Sequence, residues 1–302
     1  MTRIMINLFR CIPLILLTLA WPTAAETPNE VITRTELRLG TLNIAHGRGA
    51  AWNQLLVGGK KIRRNLEAAG DHLGGMGLDV LALQEVDAPS RWSGKLDQPA
   101  LLAEHAGFDH VLFGSHAQSF LFDYGTALLS RHRFVRTHIQ TFAPSPPTPD
   151  KGFVFGVLAW NPGEALPAAM EIGLVSLHLD FSRQSVRRSQ LLELIDFLQS
   201  TSMPVILLGD FNLDAGTADA ELEILAARLD LQLYEPEAED QVSYPGRKNA
   251  RLDWILLPRS LRFIRHETDE AALSDHRLVW ADIALAHPGA RVQTAGDGDS
   301  SP

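Results

Sequence analysis

The sequence predicts an α+β fold, a sandwich of two mixed, largely antiparallel sheets flanked by helices. Three observations favour it: a β-α-β pattern begins near residue 36, a run of short strands with connections too short for helices follows, and helices then alternate with strands. After an N-terminal leader, roughly 275 residues remain, which is enough for one large core. We therefore expect one domain over residues 26–288.

The first 25 residues have the features of a secretory signal peptide. Arg3 and Arg10 precede an apolar run from Cys11 to Trp21, and the small residues of 23–25 suit cleavage before Glu26. The run is shorter than the about 20 apolar residues that a membrane span needs. We expect a protein exported to the periplasm or outside the cell, with a retained N-terminal anchor as the alternative.

Charge and cysteine content restrict the function classes. Cys11 is the only cysteine and lies in the leader, so the exported chain would have no disulfide. The net charge is −9, and loss of Arg3 and Arg10 makes it about −11. This acidity disfavours tight, sequence-independent DNA binding, which depends on Lys and Arg neutralising phosphates. A negative net charge is also common in proteins whose acidic clusters hold a divalent metal.

The first elements form a β-α-β unit. Residues 36–44 (ELRLGTLNI) and 79–86 (DVLALQEV) have strand patterns, and residues 60–73 carry apolar side chains at helical spacing. A short helix is predicted at 101–106. The strands that follow have connections that favour antiparallel pairing; they are predicted near 110–114, 125–130, 134–142, 152–160 and 171–181.

An amphipathic helix is predicted over 183–199, with Arg187 and Arg188 pointing away from its apolar side. The remaining elements are a strand at 205–209, a helix near 218–229 and strands at 252–257, 261–265 and 278–285. The Pro-rich segment 144–149 and the tail 289–302 are predicted to be flexible or extended.

Polar side chains stand at the ends of five apolar segments that are far apart in sequence. Carboxylates, amides and imidazoles at such places cost stability unless they are paired or bind something. We therefore expect them to converge on one rim of the sandwich. The segments are 41–43 (TLN), 84–85 (QE), 178–180 (HLD), 209–212 (GDFN) and 274–276 (SDH).

Four of these segments, Asn43, 84–85, 209–212 and 274–276, resemble in order and spacing the endonuclease/exonuclease/phosphatase superfamily. Supporting matches are 128–131 (LLSR), 251–253 (RLD) and Arg187 with Gln190. The resemblance implies the DNase I-like fold, a four-layer α/β/β/α sandwich, and a metal-dependent hydrolase acting on phosphoester bonds.

The resemblance also implies a divalent metal, Mg²⁺ (or Mn²⁺), held by oxygen ligands. Glu85 is the candidate for the main ligand, Asn43 would support it, and Asp275 would reach the metal or fix a site water. The structural alternatives are an ion pair between Glu85 and an arginine and a turn-capping amide at Asn43.

Five residues receive catalytic roles from the resemblance. His276 would be the general base or a charge stabiliser, with Asp253 holding its second ring nitrogen. Asp210 would orient the nucleophile or a second cation, and Asn212 would hydrogen-bond the phosphate. His178 would contact the phosphate or protonate the leaving oxygen. The alternatives are a surface ion pair, an Asx turn and a core histidine.

One position departs from the superfamily pattern, and two further features stay open. Nuclease members of the superfamily often have an acid two residues after the position of Asn43, where this chain has Ala45. The glycine-rich segment 46–59, which contains Trp52, replaces any recognisable nuclease loop and either selects substrate or is a plain mobile loop. Asp180 is either a rim residue of the site or not part of it.

The predicted function is therefore a secreted, metal-dependent hydrolase of a phosphodiester or phosphomonoester. A nuclease and a phosphodiesterase directed at phospholipids or inositol phosphates are the alternatives, so nucleic acid and membrane phospholipid both stay open as partners. The acidity argues against nucleic acid, whereas Trp52 and Trp92, expected to be exposed, are compatible with a membrane surface. A non-catalytic phosphate-binding module is the third class. No obligate protein partner is evident.

Overall fold

The computed structural model describes residues 30–286 except 52, 164–167, 215–219, 239, 247 and 248. The predicted signal peptide 1–25, the tail 289–302 and Trp52 lie outside the described residues. Two sheets pack face to face, with one pair of helices on each outer face. The predicted four-layer α/β/β/α sandwich is confirmed.

The strands are β1 (Val31–Ile32), β2 (Glu36–Asn43), β3 (Val80–Asp87), β4 (His110–Gln118), β5 (Asp123–Ser130), β6 (Arg136–Thr141), β7 (Gly152–Trp160), β8 (Met170–His178), β9 (Val205–Asp210), β10 (Leu231–Leu233), β11 (Asp253–Pro258), β12 (Leu261–Thr268) and β13 (Val279–Leu285). The α-helices are α1 (Gly59–Gly75), α2 (Gln98–Ala106), α3 (Gln184–Gln199) and α4 (Glu221–Arg228).

One sheet has six strands in the order β12-β13-β2-β3-β5-β4, and the other has seven, in the order β1-β7-β8-β9-β11-β10 with β6 beside β7. β2 and β3 run parallel and are joined by α1, and β8 and β9 run parallel and are joined by α3. Each pair is a β-α-β unit. The predicted antiparallel run is confirmed in the pairs β4-β5, β6-β7 and β7-β8.

Three apolar layers hold the sandwich together. The middle layer lies between the sheets and contains fully buried Leu39, Val80 and Leu174. The outer layers bury the apolar faces of the helices, such as Leu66 of α1 and Leu194 of α3. Because both faces of each sheet are covered, the central strands are almost continuously apolar, as the sequence of β7 shows.

Most predicted elements have their bounds moved by a few residues. The strand predicted to reach 181 ends at His178, and the helix predicted from 218 begins at Glu221. The helix predicted at 101–106 begins at Gln98, because the Asp97 side chain caps it by accepting a hydrogen bond from the Ala100 N–H. The short strands β1 and β10 were not predicted.

Two expectations about side chains and loops differ from the structure. Arg187 does not point away from the core: its side chain is 12% exposed and donates to the Asp180 carbonyl oxygen at 3.2 Å. The Pro-rich segment is held in place, since Arg183 donates to the carbonyl oxygens of Ser145 and Pro146. Arg188, as predicted, is mostly exposed.

The topology brings particular strand ends to one edge. The parallel strands β2, β3, β8 and β9 all end there, while the antiparallel neighbours β7 and β11 begin there. Gly209 permits the close pairing of β8 with β9, because a Cβ at this position would lie 2.1 Å from the Leu177 carbonyl oxygen. In the described part of the chain, no helix is long and apolar enough to span a membrane.

Candidate active site

The predicted polar strand ends meet across the two sheets. Asn43 ends β2 of one sheet, Asp210 ends β9 of the other, and the Asn43 amide donates to Asp210 Oδ2 at 2.9 Å. Nearby, the buried Gln84 amide donates to Ser176 Oγ at 3.1 Å, which again links the sheets. The end of the sandwich is therefore closed by hydrogen bonds between side chains that lie 167 and 92 residues apart in the sequence.

His276 lies between two carboxylates. Its Nδ1 donates to Asp253 Oδ2 at 2.7 Å, and its Nε2 is 3.8 Å from Asp210 Oδ2. All three residues are buried. Burial lowers the pKa of the imidazole, but Asp253 and Asp210 outweigh it and raise the pKa of His276 to about 10. Burial raises the pKa of Asp210, which keeps this carboxyl group a stronger base than an ordinary aspartate.

The same group has the chemistry of a cation site. One ligand atom from each of Asp210, Asp253 and His276 can be chosen so that all lie within 4.8 Å of one another. Asp253 Oδ1 is buried and has no hydrogen-bond partner among the described residues. An unpartnered carboxylate oxygen is costly to bury and is the donor type that Mg²⁺ and Mn²⁺ take. The carboxylates of this group therefore fit a divalent metal, whereas the protonated His276 ring has no free nitrogen and would not be a ligand.

Glu85 is turned into the site by a bulge. The register between β3 and β5 shifts between Gln84 and Val86, and Glu85 has φ of 50°. Such a conformation is uncommon for a residue other than glycine and is often found at functional sites. The Glu85 side chain is 22% exposed, which leaves it reachable from solvent.

Basic groups surround Glu85. The nearest are His46 Nε2 at 3.4 Å and Arg48 Nη1 at 3.7 Å from Oε2; Lys151 Nζ and His178 Nε2 both lie 3.9 Å from Oε1. Burial raises the pKa of Glu85, but these basic groups, with His46 and Lys151 contributing most, lower it well below its ordinary value. The carboxylate is therefore ionised throughout the physiological pH range.

Arg48 joins two of the predicted metal residues. Its guanidinium donates to Asp275 Oδ2 and approaches Glu85 Oε2. Ser274 Oγ donates to the other Asp275 oxygen at 3.1 Å. Asn43 Oδ1 in turn accepts from the Ala45 N–H at 3.0 Å. The structure thus brings Asn43, Glu85 and Asp275 to one edge, and their role as ligands stays a prediction.

His178 is buried beside a lysine that the sequence did not single out. Lys151 Nζ lies 3.2 Å and 3.1 Å from the two ring nitrogens of His178, whose Nε2 is 3.5 Å from Asp210 Oδ2. Burial and the Lys151 charge hold the pKa of His178 well below its ordinary value. The imidazole is therefore neutral, and Lys151 supplies the positive charge at this position.

Asn212 and Asp180 organise the loops behind these residues. The Asn212 backbone N–H donates to Asp210 Oδ1 at 3.0 Å, and its side-chain amide donates to the Leu179 carbonyl oxygen at 3.1 Å. Asp180 is fully buried and accepts from Thr148 and from the turn before α3. Asp180 is therefore an anchor of that turn and not a rim residue.

Sequence reasoning missed Lys151 and His46. Lys151 immediately precedes β7, whose first residue lies at the site edge because β7 is antiparallel to β8; a search of strand starts as well as strand ends would have found it. His46 lies in the segment left open. Its Nδ1 donates to Asp87 Oδ1 at 2.7 Å, so its Nε2 faces Glu85 from the side where Ala45 provides no acid.

Trp92 differs from the expectation of an exposed side chain. It is half-buried and stacked on Tyr124 at a ring distance of 5.7 Å. Its indole N–H donates to Asp87 Oδ2 at 2.6 Å. Asp87 therefore holds both His46 and Trp92, and this tryptophan is part of the support of the site.

Known structures share this fold. An endonuclease/exonuclease/phosphatase family protein from Leptotrichia buccalis is 19% identical with a TM-score of 0.64, covering 82% of this chain and 100% of that one. The human Nocturnin catalytic domain is 18% identical with a TM-score of 0.59, covering 84% and 96%. Sphingomyelinase C from Streptomyces griseocarneus is 18% identical with a TM-score of 0.55, covering 82% and 99%.

No curated protein sequence matches this chain. The model of the Endonuclease/Exonuclease/phosphatase family matches residues 40–276, a span that begins in β2 and ends at His276. It includes all the polar strand ends that meet in the structure. The chain therefore belongs to the Endonuclease/Exonuclease/phosphatase family, whose members are phosphoester hydrolases.

Proposed function

We propose that the chain is an exported, divalent-metal-dependent phosphoesterase that hydrolyses a phosphodiester or phosphomonoester by in-line attack of water. The observation that carries the proposal is the position of His276, hydrogen-bonded to Asp253 and facing Asp210, at the edge to which Glu85 also projects. A purely structural histidine does not need two buried carboxylates and an ionised glutamate in its surroundings.

The protonation states of His276 and Asp210 support different catalytic roles for the two residues. Asp253 fixes the ring of His276 and favours its protonated form, so His276 acts as a charge stabiliser and proton donor more than as a base. Asp210, whose pKa is raised by burial, is the group that can accept a proton from water. This moves the base role to Asp210, which was expected to orient the nucleophile or a second cation, and leaves His276 the second of its two expected roles, charge stabiliser.

A bound cation supplies Lewis-acid stabilisation of the charge on the phosphoryl oxygens. Glu85 and Asp253 would hold it, with Asn43 and Asp275 at the margin, while Asp210 keeps the base role. Lys151 and Arg48 add fixed positive charge beside this position, which favours an anionic ester over a neutral one. His178, being neutral, can donate a hydrogen bond to the phosphate without adding charge.

Structures of similar fold indicate the range of substrates. One is named a sphingomyelinase C, and the Nocturnin domain was solved with a bound sulfate anion, a tetrahedral oxyanion like phosphate. A nuclease and a phospholipid or inositol-phosphate phosphodiesterase are therefore the two activities to distinguish. One panel separates them: bis-(p-nitrophenyl) phosphate, p-nitrophenyl phosphate, DNA, phosphoinositide and sphingomyelin, each with Mg²⁺ and with Mn²⁺.

We expect metal-dependent turnover of at least one member of the panel. Chelation of the metal should abolish it, and His276→Ala should lower kcat by at least about 10³-fold, because a positioned proton donor of this kind contributes 10²–10⁴-fold. His132→Ala is the matched control, since His132 lies near Glu30 and away from the site. If the purified protein cleaves no member of the panel with either metal, the proposal is wrong.

The same experiment separates a non-catalytic module from an enzyme. A module that kept only the fold would bind inorganic phosphate with or without metal and would show no metal-dependent rate. Export is tested separately. Expression of the full chain in a bacterial host should give a mature protein whose N-terminal sequence begins at Glu26, whereas an uncut N-terminus in the membrane fraction would support the anchor.

A further inference from the structure

Three surface loops leave the sheet at the edge that carries the candidate active site. They are the segment 53–64 before and at the start of α1, the loop 88–97 after β3, and the turn 119–122 between β4 and β5. The loops touch. A Cβ on Gly59 would lie 2.9 Å from Gly94 Cα, and the backbone N–H of Trp92 donates to the Leu121 carbonyl oxygen at 3.1 Å. We call these three loops the docking surface.

The docking surface exposes large apolar side chains. Leu55 and Leu56 are each 77% exposed and Phe120 is 76% exposed, with Leu121 beside it. Elsewhere in the described residues, no large apolar side chain is more than 55% exposed. Leaving side chains of this size in water is unfavourable, and isolated cases are common, but these four lie on adjoining loops at one edge.

The same surface is basic, although the chain as a whole is acidic. The start of α1 carries Lys60, Lys61, Arg63 and Arg64, all exposed, and its first turn contains no acid. Positive side chains at a helix N-terminus oppose the helix dipole. Arg63 pairs with Glu67 at 3.6 Å, but local stability does not explain Lys60, Lys61 and Arg64. Arg91 and Lys95 on the adjoining loop are also exposed, and a cleft of about 420 Å³ lies between α1 and Gly94.

From this combination we propose that the docking surface binds an anionic phospholipid bilayer and holds the active-site edge against the membrane. Basic side chains attract the negative lipid surface, and exposed leucine and phenylalanine tips insert at its boundary. A nucleic acid would use the basic side chains and can stack a base on Phe120, but it offers no apolar layer into which Leu55 and Leu56 could insert. The inference concerns where the enzyme works and holds whichever phosphoester it hydrolyses.

Vesicle sedimentation tests the proposal. The purified protein is mixed with vesicles of phosphatidylcholine alone or with phosphatidylglycerol, at low and at high salt. We expect binding to the anionic vesicles that weakens with salt, and a loss of at least about tenfold in Lys60→Glu/Lys61→Glu/Arg64→Glu, because each basic residue contributes to the attraction. Leu55→Ser/Leu56→Ser/Phe120→Ser should lose binding by a similar factor while keeping the salt dependence.

Control variants carry substitutions of the same kind at other places on the surface. Arg228→Glu/Arg259→Glu lies at the opposite edge, and Ile224→Ser/Ile264→Ser changes two other exposed apolar residues; both should bind vesicles like the unchanged protein. All variants share one N-terminus, checked by mass, so their differences report the docking surface alone. Urea midpoints confirm folding, and rates on bis-(p-nitrophenyl) phosphate should be unchanged.

Equal binding to neutral and anionic vesicles overturns the proposal, as does wild-type binding by either docking-surface variant. A single-stranded oligonucleotide provides the other arm. If the charge-reversed variant loses oligonucleotide binding while the apolar variant binds vesicles as before, the surface serves nucleic acid instead. Because the readout is binding, a protein without phosphoesterase activity would refute the proposed function and leave this test intact.

Discussion

At the scale of single residues, Lys151 is a buried lysine whose pKa lies below its ordinary value. Burial lowers the pKa of Lys151, and the nearby carboxylates of Glu85, Asp210 and Asp180 act in the other direction. Its Nζ touches the His178 ring and lies 3.9 Å from Glu85. A charge held in this way is oriented before any anionic ligand arrives, which is the arrangement that lowers the cost of charge stabilisation.

Replacing this ammonium group tests its contribution to catalysis and to the pKa of His178. We expect Lys151→Met to lower kcat/KM by about 10²-fold, because the fixed charge beside the phosphate is lost. The pKa of His178 should rise, since Lys151 is one of the causes that lower it. Steady-state kinetics and an NMR titration of the His178 ring protons measure the two effects.

Lys95→Met is the control for Lys151→Met, because Lys95 is exposed and distant from His178. It should change neither the rate on a soluble ester nor the His178 titration. An unchanged His178 pKa in Lys151→Met would contradict the contact that the structure shows.

Asp253 allows a test of the protonation state of His276. In the native protein Asp253 and Asp210 raise the pKa of His276 to about 10, so the protonated ring persists until the pH rises through that value. In Asp253→Asn the ring should lose its proton at lower pH. We expect the alkaline limb of the pH–rate profile to move down by at least about one unit and kcat to fall by about 10²–10⁴-fold.

The matched control for Asp253→Asn is Asp282→Asn. Asp282 lies on β13, and its carboxylate accepts a hydrogen bond from Arg38. Its pH–rate profile should keep the native alkaline limb. A limb that stays in place in Asp253→Asn would show that His276 is not the group that titrates.

At the scale of elements, the contact between β8 and β9 sets the distance from His178 to Asp210, because these two residues are paired in register. We expect Gly209→Ala to destabilise the protein by at least about 3 kcal/mol or to prevent folding, since the new Cβ would overlap the Leu177 carbonyl oxygen. Urea unfolding measures the loss.

Gly75→Ala provides the comparison, because a Cβ there meets nothing within 4 Å at the end of α1. This change should be neutral or stabilising by up to about 1 kcal/mol. Similar unfolding midpoints for the two variants would contradict the close approach of β8 and β9.

Elements with strong periodicity could be predicted from the sequence, and their junctions could not. Ile62, Leu66 and Leu73 identify α1, and the apolar run of 205–209 identifies β9, because both depend on local patterns. The polar strand ends predicted one rim, which the Asn43–Asp210 hydrogen bond confirms. Lys151 was missed because its place depends on the direction of β7, and strand direction is a property of the whole sheet.

At the scale of the whole molecule, charge is distributed unevenly. The net charge is −9, yet basic groups surround Glu85 and also cover the docking surface at the same edge. Sequence composition alone led to the expectation of weak affinity for polyanions, whereas the fold concentrates positive charge where an anionic ester would approach.

Buried neutral histidines should limit the stability of the molecule in acid. Burial lowers the pKa of His266 to about 3 and that of His116 to about 4. In the unfolded chain both would titrate near 6.5, so the unfolded state gains protons first and stability falls as the pH drops below that value. Each histidine should lower the free energy of unfolding by about 2 kcal/mol between pH 7 and pH 5.

His266→Asn keeps a donor for Gln241 but cannot ionise. Over this pH interval its free energy of unfolding should therefore fall by about 2 kcal/mol less than that of the native protein, as measured by urea unfolding at both pH values. His105→Asn, a half-buried control paired with Asp71, should not reduce the loss. A native-sized loss in His266→Asn would mean that other groups control acid unfolding.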